Sequence, residues 1–262
     1  MTVVTELKKS VDVVALEQKV KSMYRDVATN PHGDFHFEMG RALAERLGYA
    51  PTDLDAIPAE SIDSFAGVGY YFDLAQLKAG EIVVDLGSGS GMDAFIAASK
   101  VGETGRVVGI DMTDEQLEKA SRLRDSAGFD QVAYRKAYIE STGLPDSSAD
   151  AVISNGVVNL AAVKENVFHE AARILRSAGR LALADIVTDV RLPEGITCDA
   201  TLWAACIGGA LQIGDYIAAI EAAGLKVEHV RQNPEYHFIS DSAQGATSRF
   251  GVKSVSILAV KP

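Results

Sequence analysis

Val83-Val84-Asp85-Leu86-Gly87-Ser88-Gly89-Ser90-Gly91-Met92-Asp93 is the stretch on which the reading of this chain turns. Ile82, Val83 and Val84 form an uninterrupted apolar run, the pattern of a short strand covered on both faces. Three glycines at alternate positions then make a turn where backbone can approach a ligand closely. Exposed amides in such a turn attract polar or anionic groups. A helix is expected over Asp93–Val101, followed by a second strand over Arg106–Ile110. Asp111 stands at the end of that strand, 20 residues after Gly91 (111 − 91), where a carboxylate can accept both hydroxyls of a ribose.

Downstream of this unit the alternation continues. A helix starts at Thr113, strands fall at Val132–Ala137, Ala151–Ser154 and Arg180–Ile186, and a helix spans about 164–176. Strands alternating with helices predict a parallel sheet with crossover helices. An apolar helical segment follows around Leu202–Leu211, then a helix over 214–223 closed by Gly224, and strands at Val227–Val230 and Lys253–Val260. A last strand reached after a long excursion is expected to lie antiparallel, often at a sheet edge, though the sequence alone does not place it. Upstream, Val11, Val14, Ala15, Val20, Met23 and Tyr24 show helical spacing, Met39–Leu47 reads as a helix capped by Gly48, and Pro51 and Pro58 punctuate a polar loop.

The chain has 262 residues, more than one average domain and fewer than two. With 47% hydrophobic residues it has ample material for a core, which excludes disorder as a description of the whole. The formal charge of −11 argues against nucleic-acid and anionic-membrane binding, both of which need clustered Lys and Arg. No apolar run reaches the length of a bilayer span. The N-terminal MTVVTELKKSVDVVALEQKV mixes charges into its apolar residues, unlike a signal peptide. Cys198 and Cys206 are the two cysteines and make no disulfide framework. A cytoplasmic protein, monomeric or homodimeric, with a small-molecule partner is expected.

Charge also discriminates between ligands for the glycine turn. Gly89-x-Gly91-x-x-Ala94 satisfies the dinucleotide fingerprint, which keeps an NAD-dependent oxidoreductase open. Asp85, just before the first glycine, would repel a pyrophosphate but attract an ammonium and a sulfonium. S-adenosylmethionine (SAM) carries both and no phosphate. No Walker-type lysine follows the glycines, which counts against ATP.

The runs DLGSGSGMD, GIDMTDEQLEKA, YIE at 138–140 and ISNGVVNL resemble those of class I SAM-dependent methyltransferases. In detail, GIDMTDEQL, SNGVVNL, the segment Leu202–Leu211 and the closing RFGVKSVSILAVKP resemble arsenite methyltransferases, over about 64–262. A weaker likeness in VKSMYRDV puts Tyr24 where that family has a tyrosine near the cofactor. The resemblance implies an α/β, Rossmann-like sheet, mostly parallel with an antiparallel last strand. It implies a helical N-terminal cap at 1–78 and a SAM-binding domain at 79–262, with a substrate-side insertion at about 190–213. SAM would be the cofactor and S-adenosylhomocysteine the product. Asp85, Gly87, Ser88, Gly89 and Gly91 would hold the methionine end, Asp111 the ribose, and Met112, Thr113, Ile139 and Glu140 the adenine. Asn155 would lie near the donor methyl. The residues alone also allow Met112 as core, Glu140 as a solvated charge and Asn155 as a helix cap.

The sequence departs from the arsenite family in one respect. That family gathers three cysteine thiolates around the thiophilic metalloid, as ligand softness requires. Here Val68 and Gly156 occupy two of those positions and only Cys206 remains, with Cys198 eight residues away (206 − 198). The expectation is therefore a methyltransferase for another small acceptor, in a cavity made roomier and more apolar by Val68 and Gly156. Phe65, Tyr70, Tyr71, Phe72 and Trp203 are its candidate lining. Arsenite methylation through Cys198 and Cys206 and a non-catalytic SAM-binding protein are the alternatives beside the oxidoreductase. Candidate catalytic residues are Tyr24, His32, His36, Asn155 and Cys206, with His32 and His36 sharing a helix face if the segment is helical. Asp185 and His237 are weaker candidates, and no metal-ligand set is assigned.

Overall fold

The computed structural model describes residues 11–197, 203, 207–239 and 241–262. Ile82–Leu86 (β1), Arg106–Asp111 (β2), Val132–Lys136 (β3), Ala149–Asn155 (β4) and Leu175–Thr188 (β5) form the parallel part of one sheet, in the order β3-β2-β1-β4-β5. The strand order reverses at β1, which pairs with β2 on one side and β4 on the other. In open α/β sheets, ligands bind at such a point, beyond the carboxyl ends of the strands.

The short strand Leu211–Gln212 (β6) pairs with the end of β5. Lys226–Gln232 (β7) and Lys253–Val260 (β8) complete the sheet in the order β5-β8-β7. The last strand is antiparallel, as expected, but it is not at the edge. It sits between β5 and β7, antiparallel to both. The reason is burial: β8 is an apolar run buried along most of its length, whereas β7 is largely exposed and serves as the rim.

Crossover helices Met92–Val101 (α6, numbered after the five helices of the cap), Asp114–Ala127 (α7) and Lys164–Ile174 (α8) cover the sheet. α6 is buried on nearly all sides, since the cap lies over the face it turns away from the sheet. The cap consists of Val13–Thr29 (α1), Arg41–Leu47 (α2), Pro51–Asp55 (α3), Ala59–Asp63 (α4) and Phe72–Ala75 (α5). Leu43, Tyr49 and Phe72 from it share one apolar cluster with Val83, Phe95 and Ile153 of the sheet layer.

The region of Pro51 and Pro58 is not a plain loop. Pro51 opens α3 as its first residue and Pro58 caps α4, positions where a proline costs no helical hydrogen bond. His32 and His36 share no helix face, because residues 30–40 form turns and bends. Pro31 and Gly33, flanking His32, are both poor in a helix interior. Of the expected helical segment Leu202–Leu211, residues 202 and 204–206 lie outside the described residues, Trp203 is helical, 207–209 form a bend and a turn, and Leu211 opens β6. Glu194–Thr197 (α9), Ile213–Ala222 (α10) and Asp241–Phe250 (α11) complete the helices among the described residues.

Candidate active site

A cavity at the carboxyl ends of β1, β2 and β4 brings together most of the residues singled out in the sequence. Asp85, Gly87, Ser88 and Gly89 line it from the glycine turn, and Asp111, Met112 and Thr113 from the end of β2. Ile139 and Glu140 reach it from the turn after β3, Asn155 from the end of β4, and Tyr24 from α1. Gly91 does not line it; it caps α6, and the Tyr134 hydroxyl occupies the space a side chain there would need.

The turn is built differently from an anion cradle. The amides of Gly87 and Ser88 both donate to Ile110 O, at 2.8 and 3.0 Å, and the Gly91 amide donates to Ser88 O at 2.9 Å. The Gly89 amide donates to Asp111 Oδ2 at 3.0 Å. Amides already spent in these bonds offer little to a phosphate. Gly87 has φ +74, and a methyl group on it would stand 2.7 Å from the side chain of Val157. Glycine here admits both the left-handed backbone and the neighbouring loop.

The floor of the cavity is instead built from carboxyl groups. Asp85 is 2% exposed and its Oδ2 has no hydrogen-bond partner. Burial, and then the charges of Asp93 and Asp111, push its carboxyl well above the usual range. Asp111 accepts from the Thr113 amide at 2.8 Å as well as from Gly89, and keeps lone pairs for further donors. Among the described residues no Lys, Arg or His forms an ion pair with Asp85, Asp93 or Asp111. A buried, unpaired carboxylate beside a cavity suits a cationic ligand. The ammonium and sulfonium of SAM fit this floor; a pyrophosphate does not.

Asn155 proves to be a joint. Its Oδ1 accepts from the Val68 amide at 2.7 Å, and its Nδ2 donates to Gly69 O, Tyr49 Oη and Asp93 Oδ2 at 3.0, 3.0 and 3.1 Å. Asp93 also accepts from Tyr49 Oη and Tyr71 Oη, each at 2.7 Å. Burial raises the Asp93 carboxyl, and the bonds from Tyr71, Tyr49 and Asn155 oppose that rise. This buried network, which the sequence reading missed, pins the 65–72 segment of the cap to β4 and α6. Gln116 is a second missed link: it accepts from Ser90 Oγ at 2.6 Å and donates to Tyr24 O at 2.8 Å, tying the glycine turn to α1.

Several expectations for the acceptor side are overturned. Val68 is buried and does not line the cavity; its Cγ1 lies 3.2 Å from where a Cβ on Gly156 would stand. The valine fills the volume that glycine vacates, so the pair closes the position instead of widening it. Of the proposed aromatic lining only Phe65 faces the cavity. Tyr71 and Phe72 are buried in the cap core, Tyr70 packs edge-on against Tyr49, and Trp203 lies under the Lys164 ammonium at 4.5 Å. His32 and His36 do not line it either, and the His36 ring sits edge-on to Phe37 at 4.8 Å. Cys198 and Cys206 lie outside the described residues.

Asp185 is fully buried. It accepts from the Asn159 amide and from Tyr216 Oη, both at 2.8 Å, and burial raises it to about 6. Burial pulls the Lys164 ammonium down to about 8, against the charges of Asp185, Glu165 and Glu140. The ammonium donates to Ala161 O at 3.0 Å.

The methyltransferase domain family matches residues 77–235, more than half of the chain. The arsenite methyltransferase of Halobacterium salinarum is 38% identical over 76% of this chain and 51% of its own length. The 27-O-demethylrifamycin SV methyltransferase of Amycolatopsis mediterranei is 30% identical over 61% of this chain and 59% of its own. The crystal structure of an arsenic(III) S-adenosylmethionine methyltransferase from Chlamydomonas reinhardtii superposes with a TM-score of 0.63. It is 31% identical and matched over 85% of this chain and 74% of that one. The chain spans about half or less of the length of the arsenite methyltransferases it matches. By domain and by fold, the chain belongs to the class I SAM-dependent methyltransferases.

Proposed function

We propose that the protein moves the methyl group of SAM to a small, largely apolar acceptor other than arsenite. Bound SAM supplies an electrophilic methyl on a sulfonium, and transfer is an in-line displacement in which positioning does most of the work. Asp85 holds the amino-acid end, Asp111 the ribose hydroxyls, and Met112, Thr113, Ile139 and Glu140 the base. Leu16 and Val20 of α1 and Phe65 form an apolar wall opposite the turn, and Tyr24, Ser61 and Ser64 bring hydroxyls from the cap to the same cavity. Asn155 acts by holding the 66–69 segment in place. The cap at 1–78 and the segment at about 190–213 select the acceptor, in a protein of the cytoplasm.

The observation that carries the exclusion of arsenite is the contact between Val68 and the Gly156 position, where two soft ligands would otherwise meet. The likeness to arsenite methyltransferases favours the opposite reading, arsenite as the acceptor, for which Cys198 and Cys206 are this chain's only thiols. Incubating the protein with SAM and a panel of phenol, amine, thiol, carbon-acid and arsenite acceptors, and measuring S-adenosylhomocysteine, separates the two. Turnover is expected with an organic acceptor and not with arsenite. Turnover with arsenite that a Cys206→Ser variant loses would replace this reading with the metalloid one. No product with any acceptor would reduce the protein to a SAM binder.

A further inference from the structure

Three buried side-chain oxygens cluster behind the glycine turn without a hydrogen-bond partner: Asp85 Oδ2, Ser88 Oγ and Tyr134 Oη. The sheet register explains how they come together. Asp85 on β1 pairs with Gly109 on β2, and Gly109 pairs with Tyr134 on β3, so the three stand in one row. Gly109 leaves the middle of that row empty. A methyl group there would stand 2.6 Å from Tyr134 Cδ1 and 2.7 Å from Ser88 Oγ, so the tyrosine ring lies across the glycine. Its hydroxyl ends against Gly91, beneath the turn. Asp85 lies near enough that its charge adds to burial in raising the Tyr134 phenol.

None of the three oxygens bonds to another, yet each is shut away from solvent. Leaving a buried carboxylate oxygen and two buried hydroxyls unmatched is costly, and a water with three polar partners removes that cost. We propose that Tyr134 is a positioning residue for cofactor binding: with Ser88 it holds one buried water that donates to Asp85 Oδ2, leaving the other carboxylate oxygen turned to the cavity. This rests on the reading that Asp85 receives the amino-acid end of SAM. One hydroxyl donates to the water and the other accepts from it, so the water's two protons serve the carboxylate and the accepting hydroxyl. The other groups that face Asp85 are anionic or phenolic, namely Asp93, Asp111, Tyr49 and Tyr71. The bridge is therefore a rare source of hydrogen bonding that favours its charged form.

Tyr134→Phe keeps the ring over Gly109 and removes only the hydroxyl. Calorimetric SAM affinity, measured from pH 5 to 8, is expected to weaken about tenfold at neutral pH, the loss typical of a hydrogen bond to a charged group. The acid limb of the profile should also move to higher pH, because Asp85 then gives up its proton less readily. Unchanged affinity and an unmoved limb would overturn the proposal, as would a variant that only unfolds at lower temperature. Asp85→Asn is the control for the underlying reading: if it binds SAM as the wild type does, Asp85 is not the cofactor carboxylate and the failure lies there. A high-resolution crystal structure of the unaltered protein gives an independent check. Solvent density at roughly 2.6–3.2 Å from all three oxygens is expected, and its absence would overturn the bridge.

Discussion

The cofactor side and the acceptor side of the cavity spend their polar atoms in opposite ways. On the cofactor side, backbone bonds within the turn and to the next strand close the glycine turn and leave carboxylates facing inward. Asp111 is held by amides two and 22 residues away, whereas Asp85 Oδ2 has no hydrogen-bond partner. On the acceptor side, Asn155, Asp93, Tyr49 and Tyr71 consume their hydrogen-bonding capacity on one another, and Val68 fills the space beside Gly156. One side is built to present charge to a ligand. The other is built to hold a cap in place.

That contrast breaks most visibly at Asp93. Asp93→Ala leaves two buried tyrosine hydroxyls without their acceptor. The expected loss is roughly 3–5 kcal/mol in urea unfolding, about 10 °C in melting temperature for a chain of this size. A loss below about 1 kcal/mol would mean that the network is not what joins cap to sheet. Gly87→Ala should do the reverse. It strains a left-handed turn and collides with Val157, costing about 1–2 kcal/mol of stability. SAM affinity should nevertheless fall by more than about tenfold, since the turn is where the cofactor lies. If calorimetry finds affinity intact in that variant, the turn is not the cofactor's seat.

The same contrast explains what the sequence discloses. Asp85, the glycines and Asp111 lie within 27 consecutive residues, on one strand-turn-helix-strand unit, so spacing alone places them together. Asp93 meets Tyr71, Tyr49 and Asn155 across 22, 44 and 62 residues, and no local pattern announces such a meeting. The i, i+4 spacing of His32 and His36 fits a helix, but Pro31 and Gly33 weigh against one, and the segment folds as turns. β8 is legible as a strand from its own apolar run. Its place between β5 and β7 depends on which strand can tolerate exposure, a property of β7. The amides of the glycine turn look free in sequence, because the carbonyl of Ile110 that takes two of them belongs to the next strand.

Lys164 sharpens the comparison with a smaller, optical effect. Its ammonium lies 4.5 Å over Trp203, the single tryptophan of the chain, so emission reports directly on this buried charge. Burial brings it down to about 8, whereas an unfolded lysine holds its proton to near 10.5. Between those values the unfolded chain binds more protons, so this group's contribution to stability rises with pH through that window. Below pH 8 its desolvation cost is fully present. Tryptophan emission of the folded protein should titrate with a midpoint near 8, and Lys164→Met should remove the transition. An emission flat from pH 6 to 10 would place the charge elsewhere.

The smallest effect is expected where the two sides meet at the mouth. Glu17 of α1 accepts from Lys21 Nζ at 2.5 Å and from Tyr138 Oη at 2.8 Å, and both Glu17 and Tyr138 line the cavity from opposite walls. The bond from Lys21, then that from Tyr138, lowers the Glu17 carboxyl. Glu17 and Lys21 are each about 37% exposed as side chains, so solvent screens the cluster and its worth is roughly 0.2–1 kcal/mol. The C-terminal half of α1 is anchored independently, through Gln116 to Tyr24 O and through Lys119 to Ala28 O. Loosening Tyr138 should therefore free only the half over the mouth. Tyr138→Phe is expected to speed SAM release up to about fivefold in stopped-flow displacement, with melting temperature unchanged. Because Glu17 is charged, the difference from wild type should shrink as salt rises. Equal release rates at low salt would mean that the mouth is held open or shut by the apolar contacts of Leu16 and Val20, not by this cluster.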